Sequence, residues 1–235
     1  MNDIPIFIMN KDRLGPLKDL VEFLQKRNYC NITIVDNKST YPQLLNWYKV
    51  SGAKIFNNTT SDTGIDSVNS LAYTHRIPEF LHPMMTGNFI LTDSDIVPVS
   101  EIPVGFVEDL TEICNKYRRH KVGLGLKIDD VPDHFYNKKK MLDIETMYWK
   151  DALEGEKMLL YPHPIDTTFA VYSPGTIAKW GSGGTCFRTG GNYVARHIPW
   201  YYDYNNLPED EKYYIKNLAP NTGACWSLWA KEVVK

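Results

Sequence analysis

Two aspartates stand one residue apart at the point where an apolar run of the chain ends. Asp93 and Asp95 follow the run 88–91 and precede the apolar residues 96–98. Side chains two positions apart project to the same side of an extended chain, so both carboxylates can converge on one cation if the extended geometry continues past the strand end. Two like charges this close repel each other unless a metal ion or a cationic partner neutralises them. The pair therefore predicts a site for Mn²⁺ or Mg²⁺; the alternative is a solvated turn in which one aspartate caps the following segment.

Strand and helix patterns alternate from the start of the chain. The predicted strands are 4–9, 32–35, 53–56 and 89–91, and the predicted helices are 17–25, 41–50 and 65–81. This alternation predicts parallel strands joined by right-handed crossovers, and hence an α/β fold with a mixed, mainly parallel sheet flanked by helices. Ligands of open sheets of this kind bind outside the carboxyl ends of the strands. We therefore expect Asn10, Asp36 and Asp93 to share one edge of the sheet.

The residues at these strand ends resemble a known family. The order of a strand, Asp36-Asn37-Lys38-Ser39, a helix and then a strand closing on Asp93-Ser94-Asp95 is similar to the nucleotide-sugar-dependent glycosyltransferases of GT-A fold, particularly their family 2-like branch. The resemblance implies a Rossmann-like GT-A domain in which the acid after the second strand contacts the nucleoside. It also implies that the Asp-x-Asp binds the diphosphate through Mn²⁺ or Mg²⁺. The nucleotide-binding residues predicted on this basis are Asn10, Arg13, Asp36, Asn37, Asp93 and Ser94.

Further site residues follow downstream by the same resemblance. An acidic residue beside the acceptor hydroxyl is matched by Asp166, although Ile165 stands where a glutamate is expected. Asp166 would serve as the general base, and the alternative is that it caps a turn. A histidine near the end of the core is matched by His197, whose alternative is a packed or surface residue. The predicted metal ligands are therefore Asp93, Asp95 and His197. Arg188 or Arg196 would balance the charge of the departing diphosphate.

Glycines are dense in two later segments of the chain. Five of the residues from 181 to 191 are glycine, and we predict a flexible lid over the donor there. Gly123 and Gly125 alternate in a predicted strand over 122–126. Close packing of a neighbouring element is favoured for this pair over close approach of a substrate.

These expectations describe a metal-dependent glycosyltransferase. It would move a sugar from a nucleoside diphosphate sugar, with a UDP-sugar favoured by the resemblance, to a hydroxyl of a glycan or glycoconjugate. Aromatic side chains would offer flat faces to the sugar, namely Trp180, Trp200, Tyr201 and Tyr202.

Two other classes of protein remain open. A nucleotidyltransferase that forms the sugar nucleotide uses a similar sheet and metal acids, but it usually carries a glycine-rich, basic loop after the first strand, and residues 9–15 contain one glycine. A non-catalytic carbohydrate-binding module would suit the 15 tyrosines and 6 tryptophans. Such a module does not explain an acidic pair at a strand end.

Length and charge limit the remaining possibilities. We expect the 235 residues to form a single GT-A domain, with a nucleotide-binding half over 1–98 and an acceptor-binding half over 99–235. A net charge of −2, from 26 basic and 28 acidic residues, argues against nucleic acid as a partner. The four cysteines show no C-x-x-C spacing. The chain start lacks a signal-peptide pattern and no apolar run reaches about 20 residues, so we expect a cytoplasmic protein without a transmembrane segment. A peripheral membrane or multidomain context stays open.

Overall fold

A computed structural model describes residues 3–59, 65–154, 157–166, 168–177, 184–218 and 230. The strands are Ile6–Asn10 (β1), Ile32–Asp36 (β2), Lys54–Asn57 (β3), Phe89–Asp93 (β4), Ile96–Pro98 (β5), Lys121–Leu126 (β6), Leu153–Glu154 (β7), Leu159–Tyr161 (β8), Ala170–Tyr172 (β9) and Cys186–His197 (β10). The α-helices are Gly15–Gln25 (α1), Pro42–Tyr48 (α2), Ile65–Asn69 (α3), Pro78–Thr86 (α4), Phe106–Lys116 (α5), Lys138–Glu145 (α6) and Glu209–Asn217 (α7). A π-helical turn covers Ser70–Thr74, and 3₁₀ turns cover Thr146–Trp149 and Ile198–Tyr201.

The strands form one mixed sheet in the order β3-β2-β1-β4-β9-β6-β10-β8-β7, and β5 pairs with β10. Adjacent strands are parallel within the run β3-β2-β1-β4, and β6 is parallel to β10. Strand β9 lies antiparallel between β4 and β6. The predicted α/β, Rossmann-like fold is confirmed: a mixed, mainly parallel sheet flanked by helices. The division into two halves at residue 98 stays a prediction.

Two apolar clusters cover the two faces of the sheet. Helices α1 and α5 bury their apolar stripes against one face, where Leu17, Leu20 and Leu24 are fully buried. On the other face, Phe80 and Met84 of α4 pack against β1 and β4. Alternating residues of each strand therefore serve opposite cores, and the carboxyl ends of β1, β2 and β4 are fixed beside one another.

Two segments can be compared with the sequence prediction in more detail. The segment 65–81 was predicted to be mostly helical, and it consists of α3, a π-helical turn and the start of α4, which begins at Pro78 because proline cannot continue a hydrogen-bonded helix. The flexible lid predicted over 181–191 is wrong for its described part from residue 186, because Cys186 to Gly191 form the first half of β10. Residues 181–183 lie outside the described ranges.

Close packing explains the glycines of β6, as predicted. A Cβ atom added at Gly125 would lie 2.3 Å from the carbonyl oxygen of Thr189 and 2.8 Å from the ring of Trp149. One added at Gly190 would lie 2.7 Å from the ring of Tyr161. The glycines therefore make room for the Trp149 indole on the sheet. Among the described residues, none of the helices is long and apolar enough to cross a membrane.

Candidate functional site

A polar cluster lies at the carboxyl ends of β1 and β2, where a ligand was expected. The hydroxyl of Tyr48 donates to Asp36 Oδ1 at 2.8 Å, and Asn10 Nδ2 donates to the same hydroxyl oxygen at 3.1 Å. The backbone amide of Ser39 donates to the other oxygen of Asp36 at 3.1 Å. Burial and the nearby Asp36 carboxylate both raise the pKa of Tyr48. The tyrosine therefore stays protonated and holds Asp36 and Asn10 in fixed orientations.

One atom of this cluster lacks a partner. Among the described residues, the buried side-chain oxygen of Asn10 accepts no hydrogen bond, although the residue is only 2% exposed. Buried polar atoms are paired in the great majority of cases, and an exception calls for an explanation. An N–H or O–H group of a ligand would satisfy this oxygen.

The two loops beside the cluster are fastened to each other. Asp12 Oδ1 accepts from the amides of Thr40 and Tyr41 at 2.5 and 2.9 Å, and the Asp12 amide donates to Ser39 Oγ at 2.8 Å. Asp12 adopts the left-handed conformation with φ of 56° that this arrangement requires. Asn37, a predicted nucleotide contact, instead accepts from Asn58 Nδ2 at 2.8 Å. Hence the loops after β1 and β2 form one preorganised unit.

A buried ion-pair network lies next to these loops. Arg13 Nη1 donates to Asp95 Oδ2 at 2.6 Å, while Arg13 Nε and Nη2 donate to the two oxygens of Glu211 at 2.7 and 2.9 Å. The guanidinium also lies 3.9 Å above the ring of Tyr214. Burial lowers the pKa of Arg13, but the carboxylates of Glu211 and Asp95 outweigh it and raise the pKa above its ordinary value. Arg13 is therefore a permanent cation between two buried carboxylates.

His197 lies beside the second aspartate of the Asp-x-Asp motif. Its Nε2 lies 3.3 Å from Asp95 Oδ2, and its ring packs edge-on against Trp200 at 4.8 Å between centroids. Burial raises the pKa of the Asp95 carboxyl, but the lowering by Arg13 and His197 is larger, so the pKa lies below its ordinary value. Asp95 is thus an ionised acceptor shared by an arginine and a histidine.

The predicted metal shell of Asp93, Asp95 and His197 is not formed in the described part of the chain. Ser94 and Asp95 form a turn after β4, so the alternation that would align the two carboxylates ends at Asp93. Asp93 acts electrostatically on Tyr172, a residue of the core on the α4 side, whereas Asp95 pairs with Arg13 and His197. No group of three or more His, Cys, Asp or Glu side chains there is arranged to hold a metal ion. The residues as placed do not fit Mn²⁺ or Mg²⁺, and use of either ion stays a prediction.

Helix α7 covers the same edge of the sheet, and the sequence reasoning missed it. Asp210 Oδ2 accepts from the amides of Leu14 and Gly15 at 2.9 and 2.7 Å, at the N-terminus of α1. The ring of Tyr213 lies 5.0 Å from that of Tyr41. A helix start was readable in the sequence, because Pro208 precedes three consecutive acidic residues. What the sequence does not indicate is the partner of those acids, since Arg13 lies 198 positions from Glu211.

The remaining predicted catalytic residues lie in other contacts. Arg188 is 3% exposed, donates to Glu145 at 3.0 Å and to the Pro164 carbonyl at 2.6 Å, and so ties α6 to the sheet. Arg196 pairs with Asp130 at 2.6 Å near the surface. These contacts give each arginine a structural partner, and a role of either one toward a diphosphate stays a prediction.

Asp166 lies in the segment between β8 and β9, where its side chain is exposed. Its carbonyl oxygen lies 3.4 Å from Nζ of the buried Lys121. Its role as a general base stays a prediction. Of the aromatic residues expected to face a sugar, Trp200 is 1% exposed and belongs to the core, and Trp180 lies outside the described ranges.

Comparison with known proteins adds two distant structural likenesses. No protein family matches the chain, and no curated protein matches it. A solved cytidylyltransferase from Leptospira borgpetersenii is 10% identical with a TM-score of 0.37, and the match covers 73% of this chain and 60% of that one. A solved mannose-1-phosphate geranyltransferase from Thermus thermophilus is 10% identical with a TM-score of 0.47, covering 85% of this chain and 77% of that one.

The functional prediction is corrected at this point. The expected glycosyltransferase, transferring a sugar from a UDP-sugar to a hydroxyl, is not borne out: two of the solved structures found carry the names of a cytidylyltransferase and a mannose-1-phosphate geranyltransferase. The family 2-like assignment is likewise not confirmed. At 10% identity the likenesses concern the fold alone.

Proposed function

We propose that this chain is a nucleotide-binding transferase of the sugar-nucleotide-forming kind, a nucleotidyltransferase. The reaction would join a nucleoside triphosphate to a sugar 1-phosphate. A phosphate oxygen of the sugar attacks the α-phosphorus, the bond from that phosphorus to the bridging oxygen breaks, and pyrophosphate leaves with the electron pair. The proposal rests on the geometry of the loops after β1 and β2.

The observation that carries the proposal is the unpaired side-chain oxygen of Asn10 beside Asp36 and Tyr48. Asn10 is 2% exposed and Asp36 is 4% exposed, so both are already desolvated at the edge where ligands of open sheets bind. Amide and carboxylate oxygens are acceptors, and a nucleoside offers the matching donors on its base and ribose. Because Tyr48 fixes both side chains, little ordering cost remains for a nucleoside that binds there.

The loop after β1 supplies positive charge next to this cluster. Lys11 Nζ lies 3.2 Å from the carbonyl of Asn37, partly exposed and one residue from the nucleoside contact at Asn10. Arg13 follows two residues later. Phosphoryl chemistry depends mainly on positioning and on stabilising the charge that moves to the leaving group. Lys11 and Arg13 are two cations of this edge that can serve a departing pyrophosphate.

Turnover followed by phosphorus NMR tests the proposal directly. The protein is incubated with each of the four ribonucleoside triphosphates and a panel of sugar 1-phosphates, with and without Mg²⁺. We expect one combination to yield pyrophosphate together with a new diphosphate diester signal. Lys11→Met should slow this turnover by about 10² to 10³-fold, the usual loss for one charge-stabilising donor. Lys26→Met removes a cation from the exposed end of α1 and should leave turnover unchanged. Intact triphosphates in every combination would contradict the proposal.

A further inference from the structure

Helix α7 makes its buried polar contacts with the loop that the proposed function assigns to the phosphates. Asp210 and Glu211 are 7% and 1% exposed, although both are acidic residues in the first turn of a short surface helix. Buried carboxylates are found where they are paired with donors. Here the donors are the amides at the start of α1 and the guanidinium of Arg13.

The groups that hold these carboxylates are those that bind phosphate in other proteins. Asp210 Oδ2 accepts from two successive amides, Leu14 and Gly15, at 2.9 and 2.7 Å at the positive end of α1. Glu211 receives the two-pronged contact of Arg13 at 2.7 and 2.9 Å. Helix N-termini and bidentate arginines are both common ligands of phosphate oxygens. Asp210 and Glu211 therefore each occupy donors to which a phosphate group could bind.

Charge repulsion makes it unfavourable for these carboxylates and a polyphosphate to bind the same donors at the same time. Asp95 and Glu211 flank the guanidinium of Arg13, and Asp210 adds a third carboxylate at the neighbouring amides, so the closed arrangement is already negative. A polyphosphate brought to the same donors would meet like charges in a desolvated place. Phosphate can reach the amides of Leu14 and Gly15 only when Asp210 leaves them.

We propose that α7 is an autoinhibitory latch: the carboxylates of Asp210 and Glu211 hold the place of nucleotide phosphates, and triphosphate binding requires α7 to move away. This inference deepens the proposed function by adding regulation at the same site. A further contact extends the latch over the loop after β2, where Tyr213 Oη lies 3.1 Å from Thr40 Oγ1. Most apolar residues of α7 belong to a small cluster formed by Leu207, Tyr214, Ile215, Leu218 and Ala230, while Tyr213 packs against the edge of the main core. The described buried residues of the main core do not come from α7, so the latch can move while they stay packed.

The test uses inorganic pyrophosphate as the probe and Glu211→Gln as the variant. If the latch competes with the ligand, the apparent affinity for the ligand falls in proportion to the fraction of molecules in which the latch is open. Calorimetry should show pyrophosphate binding about tenfold tighter to Glu211→Gln than to the wild type, with Asp210→Asn shifting in the same direction. Glu209→Gln is the matched control, because Glu209 carries the same charge on the same turn but is exposed and pairs with Lys212 at 2.7 Å. Its affinity should equal that of the wild type.

Hydrogen exchange of the wild-type protein gives a second readout that needs no variant. Pyrophosphate should speed exchange of the amides of residues 209–217, because the latch opens on binding. Unchanged or weaker binding by both Glu211→Gln and Asp210→Asn would overturn the latch, as would slower or unchanged exchange of α7 in the wild type, or no pyrophosphate binding by any of the proteins. If the expected pattern is found but no triphosphate is ever turned over, the latch stands and the proposed function fails.

Discussion

Replacing Arg13 by methionine tests the buried charge network most severely. The side chains of Arg13, Asp95 and Glu211 are 10%, 6% and 2% exposed, so water cannot replace the lost guanidinium. Methionine has most of the volume of arginine and can still contact the ring of Tyr214. The substitution therefore removes the charge with little change in packing.

The expected loss of stability follows from the two carboxylates left behind. Breaking one buried ion pair by removing a single partner costs about 3–5 kcal/mol, and Arg13 serves two partners. We expect Arg13→Met to lower the free energy of unfolding by about 4–5 kcal/mol at pH 7. An exposed ion pair would account for no more than about 1 kcal/mol.

The loss should depend on pH in a definite direction. In the wild type the pKa of Asp95 is lowered from its ordinary value of 3.8, so its stabilising contribution is present above that value and is lost as the pH falls below it. In the variant the buried carboxylates lack their cation, and protonation relieves them. The difference between the two proteins should be largest at pH 7 and should shrink toward pH 4.

Urea denaturation followed by tryptophan fluorescence measures this difference. Arg27→Met is the matched control, because the Arg27 guanidinium lies 3.7 Å from the ring of Phe23 near the surface and donates to the Ser100 carbonyl at 3.3 Å. It should cost no more than about 1 kcal/mol. A loss below about 1 kcal/mol for Arg13→Met, or a loss that does not vary with pH, would refute the reasoning.

Three further outcomes are expected. Burial lowers the pKa of Lys121 from 10.5 to about 8. The stability of the wild type relative to Lys121→Met, measured by urea titrations, should therefore rise by about 3 kcal/mol as the pH rises from 8 to 10.5. A difference that does not change with pH would show that folding does not lower this pKa. Gly125→Ala should cost at least about 1–3 kcal/mol, because the new methyl group would lie 2.3 Å from a carbonyl oxygen of β10, whereas Gly87→Ala, with open space around it, should be nearly neutral; equal melting temperatures would contradict this. Tyr48→Phe removes the hydroxyl that orients Asp36 and should weaken nucleotide binding about tenfold by calorimetry; unchanged affinity would place the nucleoside elsewhere.

Local patterns predicted the parallel half of the fold well. Short apolar runs with β-branched residues predicted strands β1, β2 and β4, and leucines at helical spacing predicted α1. These patterns are visible because each element buries apolar side chains in a core. The same patterns predicted that Asn10 and Asp36 share an edge, since parallel strands end together. That inference needed only the order of strands and helices along the chain, which local patterns show in this half of the protein.

Long-range pairing set the limits of prediction. Arg13 was expected at a nucleotide, but its partners Asp95 and Glu211 come from 82 and 198 positions away, and no local rule selects them. Glycines suggested a mobile loop before His197, yet an edge of β6 was available to pair with that segment and made it a strand. The turn at Ser94 likewise separated two carboxylates that an extended chain would have aligned.

Nucleotide binding at the carboxyl ends of β1 and β2 is the central claim, and calorimetry with Asn10→Leu tests it most directly. Leucine has nearly the shape of asparagine but cannot accept a hydrogen bond, so the variant should bind the preferred nucleoside triphosphate at least about tenfold more weakly than the wild type. Asn31→Leu, at an exposed position before β2 at the opposite end of the sheet, is the control and should bind as the wild type does. Equal affinity of wild type and Asn10→Leu for every nucleotide, or no binding by the wild type, would contradict the account.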